Sequence, residues 1–205
     1  FRSASALACD ATPLAVDLLT TSFDDTTATS GVDYHYSVRA VGQNGSVGAC
    51  SNIDVGYRSL VAPSLISASD GTSTAEVSVA WSAVPGAAVY DLYRNTTGLR
   101  CSGDLLGDDL GSVSFGDTSA SPGVTYSYSV RAQGANGQPG VCSVVDTGYR
   151  AANGGTSVAA SDGTSLSEVS VTWSAVDGAQ SYLVYRSSAL GACVDPPIAS
   201  DITEL

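Results

Sequence analysis

"SASDGTSTAEVSVAWSAVPGAAVYDLYR", residues 67–94, is written again as "AASDGTSLSEVSVTWSAVDGAQSYLVYR" at 159–186, with 19 of 28 positions identical. The offset is 92 residues. It holds outward from there: "YHYSVRAVGQNGSVGACSNIDVGYR" (34–58) and "YSYSVRAQGANGQPGVCSVVDTGYR" (126–150) share 16 of 25 positions, and no gap is needed anywhere. A period this long exceeds the roughly 20–50 residues of a solenoid repeat. It is the length of a small independent domain, so the chain reads as a string of such units.

Inside one unit the pattern is β. Val77, Val79 and Trp81 alternate with small or polar residues in "EVSVAW", the period of a half-buried strand. "YSYSVRA" places Tyr126, Tyr128, Val130 and Ala132 on one face, with Ser127, Ser129 and Arg131 on the other. Asn44-Gly45 and Asn136-Gly137 predict two-residue type I′ hairpin turns. Pro85-Gly86 and Pro122-Gly123 mark two more connections. Short strands at regular spacing, with no helical periodicity between them, predict an all-β fold of antiparallel sandwiches.

Composition agrees and narrows the partners. The 205 residues are 43% hydrophobic, enough to build cores, and the 22 Gly suit turns rather than helices. Net charge is −12, and all eight basic residues are arginines. Such a surface repels polyanions and anionic lipid, so neither nucleic acid nor membrane is an expected partner. No apolar run approaches the roughly 18 residues of a membrane-spanning helix. Methionine is absent, so residue 1 is expected to follow processing or to lie within a longer sequence.

"VAWSAVPGAAVYDLYR" followed by "SFGDTSASPGVTYSYSVRAQGANG" resembles the fibronectin type III module in its bacterial extracellular form. The resemblance covers the whole chain as a tandem array of immunoglobulin-like sandwiches. It implies a core Trp on strand B (Trp81, Trp173), a Tyr on strand C (Tyr90, Tyr182) and a corner Tyr opening strand F (Tyr34, Tyr126). It divides the chain into 1–58, the later part of one module; 59–150, a complete module; and 151–205, the first part of a third. Phe1 aligns with Tyr93 and Leu205 with Val113. Half a sandwich exposes edge strands and an apolar face. Two completions stay open: neighbouring sequence of a longer array, or head-to-tail complementation between copies, which would propagate as a filament.

The cysteines keep the period, with Cys9, Cys101 and Cys193 in one phase and Cys50 and Cys142 in the other. No C-x-x-C pair suggests zinc or redox chemistry, so structural disulfides and an oxidising, extracellular or cell-surface location are expected. The strand positions implied by the resemblance leave two pairings open. Cys9–Cys50 and Cys101–Cys142 close loops within modules. Cys9–Cys142 would staple adjacent modules, because the two loops concerned usually lie at opposite poles of this sandwich. Cys193 then pairs outside this chain.

Catalytic material is scarce. His35 is the only histidine, is expected to face solvent, and is replaced by Ser127 in the next repeat, so no Ser/His/Asp triad is supported and no enzyme activity is expected. Asp104, Asp108 and Asp109, and the Asp24-Asp25 pair, match no calcium-loop spacing and read as solvated charge; no cofactor is expected. Asp70 and Asp162 are expected to bond their own turn backbones in "SDGT". Asn95 and Asn44 head N-x-S/T sequons and are the glycosylation candidates. These readings predict a non-catalytic structural protein: an extracellular filament, stalk or adhesin shaft whose partners are copies of itself or adjacent repeats, end to end. The alternative is a spacer array in a secreted polysaccharide-degrading enzyme.

Overall fold

Strand β5 (Val77–Trp81) alternates strictly, with Val77, Val79 and Trp81 buried and Ser78 and Ala80 exposed. That alternation places it at the centre of a three-stranded antiparallel sheet, between β4 (Ile66–Ala68) and β8 (Ser114–Asp117). Facing it is a second antiparallel sheet built on β6 (Ala87–Asn95) and β9 (Thr125–Gly134), with β7 (Asp104–Leu110) on the outer side of β6. Two short strands, β10 (Pro139–Cys142) and β11 (Asp146–Tyr149), both pair with β9 and together form one interrupted edge. This is the strand order of a fibronectin type III-like sandwich. The computed structural model describes residues 1–5, 9, 12–155, 157–188, 193 and 196–203; the alignment of Leu205 with Val113 falls outside them.

The sandwich closes on Val77, Val79, Trp81, Leu92, Tyr128 and Val130. Burying each large apolar side chain of this kind contributes about 1.5–3 kcal/mol. Trp81 meets Tyr90 edge-on at 5.8 Å between ring centroids. The Tyr90 hydroxyl accepts the Val84 N–H at 2.9 Å, tying the aromatic pair to the turn before β6. The fully buried tyrosine of β9 is Tyr128, whereas Tyr126 is only half-buried. Tyr126 instead sits at the corner, accepting the Ser121 N–H at 3.4 Å. Ser127 and Ser129, expected on an open face, are buried as well, because the loop after β6 lies across it.

The flanking segments carry the same pairings one period away. Strands β1 (Arg2–Ser3), β2 (Asp33–Tyr36) and β3 (Asp54–Tyr57) form one sheet, in which Arg2 faces Tyr36 as Arg94 faces Tyr128. In the other segment β12 (Val158–Ala160) pairs with β13 (Val171–Trp173), and β14 (Tyr182–Val184) with β15 (Ala199–Ile202). Trp173 packs on Tyr182 at 5.4 Å, and Tyr182 accepts the Val176 N–H at 2.9 Å, repeating the Trp81–Tyr90 arrangement.

The hairpin turns differ from expectation. Gly45 and Gly137 have φ of +79° and +72°, but Asn44 and Asn136 stay at negative φ. Gly137 N–H reaches Gly134 O, and Gly134 N–H reaches Gln138 O, the pattern of a type I turn closed by a glycine bulge. Asn136 Oδ1 takes the Gln138 N–H, an Asx turn that serves in place of a left-handed backbone at Asn136. Just after the 69–72 turn the Ser73 hydroxyl accepts the Ala75 and Glu76 N–H groups.

Candidate functional site

At the pole where β6 ends, Arg94 enters the sandwich beside Asp117 at the end of β8. Arg94 Nη1 donates to Asp117 Oδ2 at 2.9 Å, and Nη2 donates to the exposed Asp104 at 2.9 Å. The Asp117 side chain is 1% exposed. It also accepts the Tyr128 hydroxyl at 2.9 Å and, on Oδ1, the Ser119 N–H and hydroxyl at 3.0 and 2.7 Å. Arg94 lies 4.6 Å over the Tyr126 ring. Burial raises the Asp117 pKa, but the bonds from Ser119, Tyr128 and Arg94 outweigh it and hold the carboxyl below its ordinary value. Burial and the facing carboxylate push the Tyr128 hydroxyl far up. The arrangement is a charged clasp with no proton to exchange near neutral pH.

The clasp is repeated 92 residues earlier. Arg2 pairs with Asp25 at 2.8 Å and lies 4.5 Å over Tyr34, while Asp25 accepts the Thr27 hydroxyl and N–H and the Tyr36 hydroxyl. The Thr27 hydroxyl leads the contacts that hold the Asp25 carboxyl well below the usual range. Asp25, and to a lesser degree Asp104, are therefore structural ligands of arginines, not free surface charge. The signal was present: an arginine after an aromatic residue (Phe1-Arg2, Tyr93-Arg94), and a "D-T-S/T" 23 residues on, recur at the period. Another repeated arginine pins the same loop: Arg58 donates to the carbonyls of Thr26 and Ala28, and Arg150 to those of Thr118 and Ala120. Arg150 additionally binds the Thr74 carbonyl.

Cys9 is joined to Cys50 and Cys101 to Cys142, with Cα separations of 6.2 and 6.1 Å, and the inter-module pair Cys9–Cys142 is not formed. The polar separation of these loops does not hold, because the loop after β6 folds back over β9. Cys101 N–H donates to Ser129 Oγ at 2.8 Å, as Cys9 N–H donates to Ser37 Oγ at 3.0 Å. Cys193 carries a free, exposed thiol.

His35 is half-buried rather than solvent-facing, and its Nδ1 is buried without a partner. It lies on β2 opposite Ser3 and Val55. Asp108 and Asp109 are exposed. Among the described residues no three His, Cys, Asp or Glu side chains form a metal-binding group. The Asn95 amide is occupied on both sides. Its Nδ2 donates to Leu99 O and Ser102 O at 2.7 and 2.8 Å, and its Oδ1 accepts from Thr97 and Gly98. Asn44 caps only Ser46 N–H, at 3.1 Å.

Successive segments meet turn to turn. Gly31 (φ +74°) of the first packs on Gly86 and Gly134 of the second; a Cβ on Gly134 would stand 2.5 Å from Gly31 Cα, and one on Gly86 would collide with the Ser30 carbonyl. Asn136 Nδ2 donates to Asp33 across this contact at 2.6 Å. The same approach recurs 92 residues on, between Pro122-Gly123 and Gly178. Only residues without a Cβ allow backbones this close.

No family model matches the chain. Over 84 residues it is 36% identical to a poly(3-hydroxybutyrate) depolymerase of Delftia acidovorans, covering 41% of this chain and 16% of that protein. Over 130 residues it is 32% identical to exoglucanase B of Cellulomonas fimi, covering 58% of this chain and 11% of that protein. The matched stretches are thus small parts of both curated relatives. Among solved structures, a Fn3-like protein from Clostridium thermocellum is similar over 45% of this chain and 94% of its own, at 26% identity and a TM-score of 0.39.

Proposed function

We propose that the chain is a non-catalytic, extracellular spacer that holds other domains of a secreted polymer-degrading enzyme apart. The observation that carries this is the match to small parts of two proteins named as depolymerising enzymes, made by sandwiches whose polar clusters are closed clasps. One relative is named for a polyester and one for a glucan, which widens the polymer class from polysaccharides to polymers generally. Two intramodular disulfides favour an oxidising compartment. A second reading, a stalk or filament shaft of many such modules, is favoured by the head-to-tail turn contacts.

The test places the 205-residue chain between a catalytic domain and a polymer-binding domain, against a version shortened by one 92-residue period. Activity on solid polymer is expected to fall with the shorter spacer while activity on a soluble substrate is unchanged. Equal activity on solid polymer, or hydrolysis by the chain alone, overturns the reading.

A further inference from the structure

The two joints share one turn-to-turn contact but differ in what fills it. In the first, Leu60 is 2% exposed and belongs to the central core. Its Cδ2 lies where Cβ atoms on Gly31 and Gly86 would meet it at 3.3 and 3.4 Å, so one side chain seals both turns. Its carbonyl accepts Val141 N–H at 3.2 Å, fixing the linker to β10. Pro63, three residues on, is also buried, and Asn136 ties the joint to Asp33. Leu60 and Pro63 thus anchor the linker at both ends, one by packing and one by packing and its ring.

One period later Leu60 becomes Ala152, and Val61-Ala62-Pro63 becomes Asn153-Gly154-Gly155. Alanine lacks the atoms that bridge the turns. Ala152 is exposed, and neither Gly154 nor Gly155 has a neighbour within 4 Å of where a Cβ would stand. Asp33, the acceptor across the first joint, becomes Thr125. The Gly123–Gly178 contact remains, but the leucine that bridges the first joint is an alanine here, and the glycines restore backbone freedom.

We infer that the chain joins its modules in two ways: a locked joint at residues 59–63, for which the docking partner is the next module's turns at Pro85-Gly86 and Gly134–Gly137 with Leu60 as the seal, and a hinge at residues 152–155. The inference concerns these joints and holds whatever the modules space. It makes the chain an articulated rod, with the first two modules as one rigid unit.

The experiment measures distance distributions in the full chain by pulsed electron resonance, with spin labels carried on unnatural residues so that all cysteines stay as they are. One pair, Val47 and Leu99, spans the first joint; the other, Leu99 and Leu166, spans the second, and all three positions are exposed. The second distribution is expected to be at least about twofold wider than the first. Ala152→Leu with Gly155→Pro, which restores the residues of the first joint, narrows it. Gly134→Ala, which needs no positive φ and leaves the core intact, widens the first by pushing Gly31 away. Leu60→Ala widens it too, with folding of the central module checked by near-UV circular dichroism. Equal widths in the wild type, or a first joint unmoved by Gly134→Ala, overturn the inference.

Discussion

Asp117→Asn removes one charge from the clasp while keeping its shape. The Arg94 guanidinium, whose side chain is 11% exposed, then keeps only the exposed Asp104 as a charged partner. Removing one member of a buried ion pair costs about 3–5 kcal/mol, chiefly through the charge left behind. The amide retains an acceptor for Ser119 or Tyr128, which places the loss near the low end, about 3 kcal/mol. For a module of this size that corresponds to a fall in Tm of roughly 12–24 °C. The pH dependence carries the sharper test. Asp117 has a lowered pKa in the folded state, so its stabilisation is complete above the unfolded carboxyl's pKa, near 4, and is lost as pH falls through the lower folded value. Urea unfolding of wild type and variant, followed by tryptophan fluorescence, is expected to show the full gap at pH 7. The gap then narrows below pH 4, where the unfolded carboxyl takes up a proton, and is lost as pH falls through the lower pKa of the folded one. A gap under about 1 kcal/mol at pH 7, or one constant into acid, would refute the assignment of a charged clasp.

Two further outcomes follow from the same geometry. Replacing Cys101 and Cys142 together with serine opens a loop of 41 residues, which is expected to lower the stability of the central module by about 4 kcal/mol; equilibrium unfolding with and without reductant checks it, the central module's transition becoming insensitive to reductant while Cys9–Cys50 remains. Tyr126→Phe removes a long corner bond and is expected to cost about 0.5–1 kcal/mol, whereas Tyr128→Phe, which deprives buried Asp117 of a donor, costs more, about 1.5–3 kcal/mol; paired thermal melts rank the two.

The sequence by itself determined the architecture. Alternation in Val77–Trp81 and Tyr126–Ala132 fixed strands and faces, and the 92-residue period carried registers from one segment to the next, because side-chain period and turn chemistry are local properties. Glycine at 137 announced a tight turn, although its class depended on whether Asn136 adopted positive φ, and its side-chain bond to Gln138 decided against it. What tertiary structure decided are the partners of charges and the position of loops. The repeat singles out Asp117 and Asp25 in the sequence, but only the fold shows that an arginine from 23 residues away stands against each. Cys101 meets Cys142 only because a loop folds back over β9, and Leu60 becomes core only when two turns from different segments close upon it. Pattern encodes which face a residue takes; only the folded chain decides what stands opposite it, since those contacts join residues whose spacing carries no periodicity.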